Sequence, residues 1–238
     1  MSSISFDKVK VITVGKVGSS DFLWSQYNEC TNISHDHDLS NLRLSLVQDN
    51  NCLIIVGIRN PIDRNLSYLF QTYTNDCYND VRTKHNDYKG EYCYIPEMNL
   101  NTDIDKVIEL YFNQKYHNTF NEWFEEFFEI TEIDKNTFDK AKGLSVYNFP
   151  NNNTIVIYTL EKLNQNKNNM YKLIGIKDLI HSNNSDDRDY KKMYADVKDK
   201  IEYTKEYIDN LLNTRTMQFF YTQADIDYMY SKYKIKYD

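Results

Sequence analysis

Short apolar runs alternate with stretches in which apolar positions recur every three or four residues. Val9 to Val14 (VKVITV) reads as a strand buried on both faces, and Cys52 to Ile58 (CLIIVGI) is the clearest such run. Thr31 to His35 is a shorter strand candidate ending in polar residues. Ser20 to Tyr27 and Asp38 to Val47 carry helical spacing, and Asp38 is placed to cap the second of these. Pro61 stands where a helix can begin, with Ile62, Leu66, Leu69 and Phe70 on one of its faces. The order β-α-β-α-β-α predicts a parallel sheet flanked by helices, with ligands at the carboxyl ends of the strands.

Further on, residues 75–102 are polar, Tyr- and Asn-rich and aperiodic, and read as an insertion or lid loop. Ile104, Val107, Ile108, Tyr111 and Phe112 mark a helix. Phe120, Trp123, Phe124, Phe127 and Phe128 recur at i, i+3, i+4, i+7 and i+8, the stripe of an amphipathic helix facing a core. A substrate platform is the alternative use of that stripe. Leu144 to Tyr147 and Thr154 to Leu160 read as strands around an Asn151-Asn152-Asn153 turn, while 164–169 and 181–189 read as polar loops. Val197, Ile201, Ile208, Leu211 and Leu212 predict one long helix, and Asp225 to Tyr233 a short final one. The expectation is one α/β domain over residues 1–238 with a helical C-terminal part.

Composition narrows the function. Hydrophobic content of 41% and charged content of 26% suit a packed core. A net charge of −7 argues against a general nucleic-acid binder, yet an anionic ligand can be held where a few cations converge. Cys30, Cys52, Cys77 and Cys93 lack C-x-x-C spacing, which points to free thiols rather than zinc. The N-terminus has no apolar signal-peptide core and no run of 18 apolar residues occurs, so the sequence predicts no membrane span and a cytoplasmic protein, in the host cytoplasm if viral.

Three polar clusters fall at the predicted ends of three successive strands. The first is Lys16-Val17-Gly18-Ser19-Ser20, between a strand and a helix. Such a turn can hold a phosphate or sulfate, because helix N-termini offer free N–H groups and partial positive charge. The Walker spacing G-x-x-x-x-G-K-[ST] is absent: Lys10 stands where its first glycine would be, and Val17 follows the lysine. The second cluster runs from Arg59 to Tyr68. Arg59 with Ser67, eight residues on, can hold a separate phosphate through a guanidinium fork and a hydroxyl, whereas Arg64 serves either the ligand or a structural ion pair. The third is His35-Asp36-His37-Asp38, in which either histidine can serve as a general base near neutral pH. The plainer readings are an ordinary strand–helix turn and a loop with two solvated histidines.

These clusters resemble the sulfotransferase superfamily. Lys16, Gly18, Ser19 and Ser20 match its K-x-G-S-[ST] loop for the 5′-phosphosulfate of 3′-phosphoadenosine 5′-phosphosulfate (PAPS). Arg59 and Ser67 match its R-x7-S element for the 3′-phosphate, with Pro61 and the second arginine, Arg64, also in place. His35 and His37 resemble the H-x-H of the carbohydrate 2-O-sulfotransferases. Asn121-Glu122-Trp123-Phe124, Glu132-Ile133-Asp134 with Phe138 to Gly143, Tyr158 to Leu163, and Phe219-Phe220-Tyr221-Thr222 resemble a bacterial capsular polysaccharide synthesis family that looks like a branch of the same superfamily. The resemblance implies a P-loop-like parallel sheet and a transferase that takes PAPS as co-substrate. Its implied acceptor is a carbohydrate or other hydroxyl. Lys16, Val17, Gly18, Ser19, Ser20, Arg59, Arg64 and Ser67 would bind the cofactor, with Lys16, His37 and His35 catalytic and no metal. The alternatives are an inactive binding protein on the same scaffold and a P-loop nucleotide or sugar kinase.

Overall fold

The computed structural model describes residues 5–19, 22, 26–27, 32–73, 98, 100–134, 136–178 and 189–236. Its strands are β1 (Lys8–Ile12), β2 (Gln26–Tyr27), β3 (Ile33–Asp36), β4 (Cys52–Ile58), β5 (Leu144–Asn148), β6 (Thr154–Thr159), β7 (Ile176–Asp178), β8 (Glu202–Thr204) and β9 (Lys234–Lys236). Its longer helices are α1 (Leu39–Gln48), α2 (Pro61–Tyr73), α3 (Ile104–Phe112), α4 (Thr119–Thr131), α5 (Leu163–Ile174), α6 (Lys191–Lys200), α7 (Lys205–Leu212), α8 (Arg215–Phe220) and α9 (Gln223–Ser231).

The central sheet has the order β3-β1-β4-β6-β5. Its first four strands are parallel, and β5 returns antiparallel beside β6. The predicted α/β class and mostly parallel sheet are therefore present, with helices on both sides and a helical C-terminal part. Every residue of β4 is buried, which its unbroken apolar run requires of a central strand covered on both faces. Ile54, Val56 and Ile58 face a core shared with α2, α3, α4 and the C-terminal helices. Leu53 and Ile55 face a smaller core with Phe22, Leu163 and Met170.

Connections from β1 run first to β3 on one side and then across to β4 on the other. The carboxyl ends of β1 and β4 thus flank a topological switch point, where open α/β sheets form a crevice. Asp38 caps α1 as predicted, its carboxylate accepting from the Ser40 N–H. Pro61 opens α2. None of the described helices is long and apolar enough to cross a membrane.

Four predicted elements differ. Gln26 and Tyr27 are not the end of a helix but a short strand paired antiparallel with β7. Residues 164–169 are not a loop but lie within α5. Their polar appearance misleads because Asn166 occupies a core position between Leu163 and Met170, its amide donating to the Lys142 and Lys162 carbonyls. The long helix through 197–212 is broken at Ile201, which is extended (φ −64°, ψ 130°). Glu202 to Thr204 then pair with β9, and the Thr204 hydroxyl accepts from the Tyr207 N–H to start α7. β1 stops at Ile12, so Thr13 and Val14 already belong to the loop. The predicted insertion at 75–102 falls almost wholly outside the described residues.

Candidate functional site

Four parallel strands end on the same edge of the sheet, and all three predicted clusters meet there. The loop after β1 turns sharply. Gly15 (φ 83°), Lys16 (φ 60°) and Gly18 (φ 78°) all lie in the left-handed region. Glycine takes that region freely, whereas a residue with a Cβ gives up roughly 1–2 kcal/mol there. A lysine held in such a conformation is a strain that points to a use for its side chain.

Four carbonyls of this loop are tied back by side chains. The Thr13 oxygen is 2.6 Å from His37 Nδ1. The Val14 oxygen accepts from Arg64 Nη2 at 2.9 Å. The Lys16 oxygen accepts from Arg59 Nη1 at 3.2 Å, and the Val17 oxygen from Tyr158 Oη at 2.7 Å. With these four acceptors occupied, what the loop chiefly has to offer is N–H groups, the requirement for binding an anion. Ser19 follows, buried, at the point where helical conformation begins. Ser20 lies outside the described residues.

Arg64 was expected on the ligand or in an ion pair, and the structure shows it bonded to the loop itself. Its side chain is only 2% exposed, beneath the loop, donating to the Val14 carbonyl and to Asn65 Oδ1. Its Nε has no partner, and no carboxylate pairs with it among the described residues. Burial pushes its pKa down to about 10. A buried guanidinium without a counter-charge is costly, and an anion bound above the loop relieves that cost. Arg59 is half-buried at the end of β4, one arm of its fork spent on the loop. Ser67 is half-buried on α2, about two turns from Pro61.

Geometry separates the two histidines. A carbonyl only accepts, so the 2.6 Å contact with Thr13 makes His37 Nδ1 the donor and leaves Nε2 bare in the neutral ring. The His37 N–H donates to Asp36 Oδ1, and Trp123 Nε1 donates to the His37 carbonyl at 3.0 Å. The ring packs beside Gly15, where a Cβ would stand in ordinary contact, 3.6 Å from His37 Cε1, so it is the positive φ and not space that calls for glycine. His35 lies edge-on to His37, with ring centroids 4.5 Å apart. Burial lowers the pKa of both. His35 is pushed down to about 4, with His37 and Lys16 adding to the effect and Asp36 opposing it. For His37 the Thr13 contact partly offsets burial, and Lys16 and Arg64 reinforce it. Both residues keep part of their surface in water, which moderates the drop, and both rings are neutral at pH 7. Asp36 is a backbone clamp, accepting from the Asp38 N–H and the Asn41 amide as well as from His37.

Several residues at this edge were not singled out as site residues by the sequence. Gly57 gives Tyr158 its place, since a Cβ on Gly57 would lie 2.5 Å from the Tyr158 hydroxyl. Asn60 donates its N–H to Glu161 and its amide to Tyr233 Oη, and its Oδ1 accepts from the Ile62 N–H. Glu161, at the end of β6, also accepts from Tyr221 Oη. The C-terminal part is thereby fastened to the ends of β4 and β6. A glycine inside an apolar strand was the one visible signal, because it marks a close approach of another group. No family model matches the chain, and neither a curated protein nor a solved structure matches it.

Proposed function

We propose that the protein is a PAPS-dependent sulfotransferase acting on a hydroxyl of a carbohydrate acceptor. The observation that carries this reading is the loop after β1. Four of its carbonyls are tied back, a strained lysine is built into it, a buried guanidinium that no carboxylate among the described residues pairs with lies beneath it, and a neutral histidine packs against its first glycine. These residues fit a leaving phosphate, and the buried, unpartnered Arg64 Nε marks the same region as short of negative charge.

PAPS supplies a sulfonyl group bonded to a phosphate that can depart. His37 Nε2 accepts the proton of the acceptor hydroxyl as that oxygen bonds to sulfur. The electron pair of the breaking S–O bond goes to the phosphate oxygen, where the loop N–H groups and the Lys16 ammonium stabilise it. Arg59 and Ser67 hold the 3′-phosphate away from the reacting centre. His35 keeps a second neutral imidazole beside the base. Because the His37 pKa of the free protein lies below the ordinary value, the base is already deprotonated at pH 7, and the acid limb of kcat/KM falls below the ~6.5 of a free imidazole.

Calorimetry with desulfated PAPS and label transfer from PAPS to a panel of sugars test the reading. Tight binding with transfer supports it. Lys16→Ala and His37→Ala are expected to lower turnover by ~10²–10⁴-fold at nearly unchanged cofactor affinity, and Arg59→Ala to weaken binding. Binding without any transfer would point to an inert scaffold, and thermal stabilisation by ATP with magnesium in place of PAPS to a kinase.

A further inference from the structure

We infer that Trp123 is a positioning residue for His37, acting through its indole N–H rather than through its place in the aromatic core. This rests on the reading of His37 as the base. The aromatic stripe of α4 divides in two. Phe120, Phe124 and Phe127 are fully buried, whereas Trp123 is half-buried at the edge of the core and its Nε1 reaches out of the stripe to the His37 carbonyl. The indole is held for that contact by a near-parallel stack on Phe127 (9°, centroids 5.7 Å apart) and an edge contact with Phe124.

His37 itself sits just beyond β3, where strand pairing no longer fixes the chain. Three hydrogen bonds replace the ladder: Asp36 on the N–H, Trp123 on the carbonyl and Thr13 on the ring. The backbone bonds orient the peptide so that the third can form, and the third determines which ring nitrogen is bare. Removing the Trp123 donor leaves the following peptide plane held only by the Asp38 N–H on Asp36, and this looser hold lets the ring leave the Thr13 carbonyl. Both tautomers then become populated, and the ring moves into water.

Trp123→Phe removes the donor and keeps a ring on Phe127. The direct readout is imidazole ¹⁵N NMR of His37 across pH. The groups facing that ring are His35, Lys16, Asp36 and Arg64, and the substitution leaves all four in place. In the wild type His37 is expected as a single Nδ1–H tautomer titrating below the usual value. In Trp123→Phe the tautomers mix and the titration rises toward ~6.5. kcat falls roughly ten- to a hundredfold, and the affinity for desulfated PAPS is unchanged.

Phe128→Leu is the control. Phe128 lies on the same helix and packs on Phe124, Phe219 and Phe220. It should lower stability without moving the His37 titration. An unchanged His37 tautomer and titration in Trp123→Phe would overturn the inference, as would an equal shift in Phe128→Leu. The NMR result is independent of the reaction: a shifted His37 in a protein that never binds PAPS leaves the positioning role standing while the sulfotransferase reading fails.

Discussion

Gly57 offers a quantitative test of how the loop is held. It lies in β4 opposite Tyr158 of β6. A methyl group there would stand 2.5 Å from Tyr158 Oη, 2.7 Å from its Cζ and 2.8 Å from Val17 Cγ2, all well inside contact distance. The Tyr158 ring has no easy retreat, because Phe22 packs on it with centroids 4.8 Å apart and its hydroxyl is bound to the Val17 carbonyl. Gly57→Ala therefore overpacks the site, at about 1–3 kcal/mol, and breaks the Tyr158–Val17 bond, for about 1 kcal/mol more. The expected loss is roughly 2–4 kcal/mol. Tyr158→Phe removes one oxygen and leaves the Val17 carbonyl without its donor, a cost of about 1–2 kcal/mol.

The double variant decides the argument. With the hydroxyl gone the worst contact of the added methyl disappears, and the hydrogen bond cannot be lost twice. The combined loss should then fall short of the sum by about 1 kcal/mol. Urea unfolding of the four proteins measures it, with equal m-values as the check on two-state behaviour. Strict additivity, or a Gly57→Ala protein within about 0.5 kcal/mol of the wild type, would refute the claim that β4 makes room for the hydroxyl that tethers the loop.

Arg64→Met should change the stability of the ligand-free protein less than that of the anion-bound one, so the thermal upshift produced by desulfated PAPS shrinks; an undiminished upshift would show that the guanidinium beneath the loop contributes nothing to anion binding. Burial alone would raise the Asp49 pKa, but the Lys10 and Lys8 ammonium groups, 2.6 and 2.5 Å away, hold it below the ordinary value. Its contribution to stability is thus present above the unfolded value of ~3.9 and is lost as the pH falls through the folded one, so Asp49→Asn should flatten the loss of stability below about pH 4 seen in acid titrations of unfolding. Thr222→Ala removes the hydroxyl half of the capping box that starts α9, and chemical denaturation should register a loss of about 1 kcal/mol.

The sheet was legible because its central strands are buried on both faces. Apolar runs such as Cys52 to Ile58 have one plausible use, and Pro61 and Asp38 mark the helices beside them by local chemistry alone. The same local rules misread α5, where Asn166 does the work of an apolar residue, and the break at Ile201, which exists because β9 arrives from the far end of the chain to pair with β8. The three clusters could be placed at one edge because the β-α-β pattern makes the strands parallel, so their carboxyl ends lie on one side. Their inner wiring could not. That Arg64 lies beneath the loop, that Tyr158 reaches it across Gly57 and that Trp123 touches the His37 backbone are facts of packing between residues 50 to 141 positions apart.

The bond from Asn60 to Tyr233 joins residues 173 positions apart. A chain made from its N-terminus has β1, the loop after it and β4 long before it has Tyr233, and the β8–β9 pairing that brings this tyrosine close needs the last residues made. The order of synthesis thus sets an order of competence. The nascent chain can lay down the sheet early and tie Arg59 to the loop and the Asn60 N–H to Glu161, but the last fastening of that strand end waits for the final residues. A chain cut short before Tyr233 would thus carry every residue of the three clusters with one of their fastenings missing.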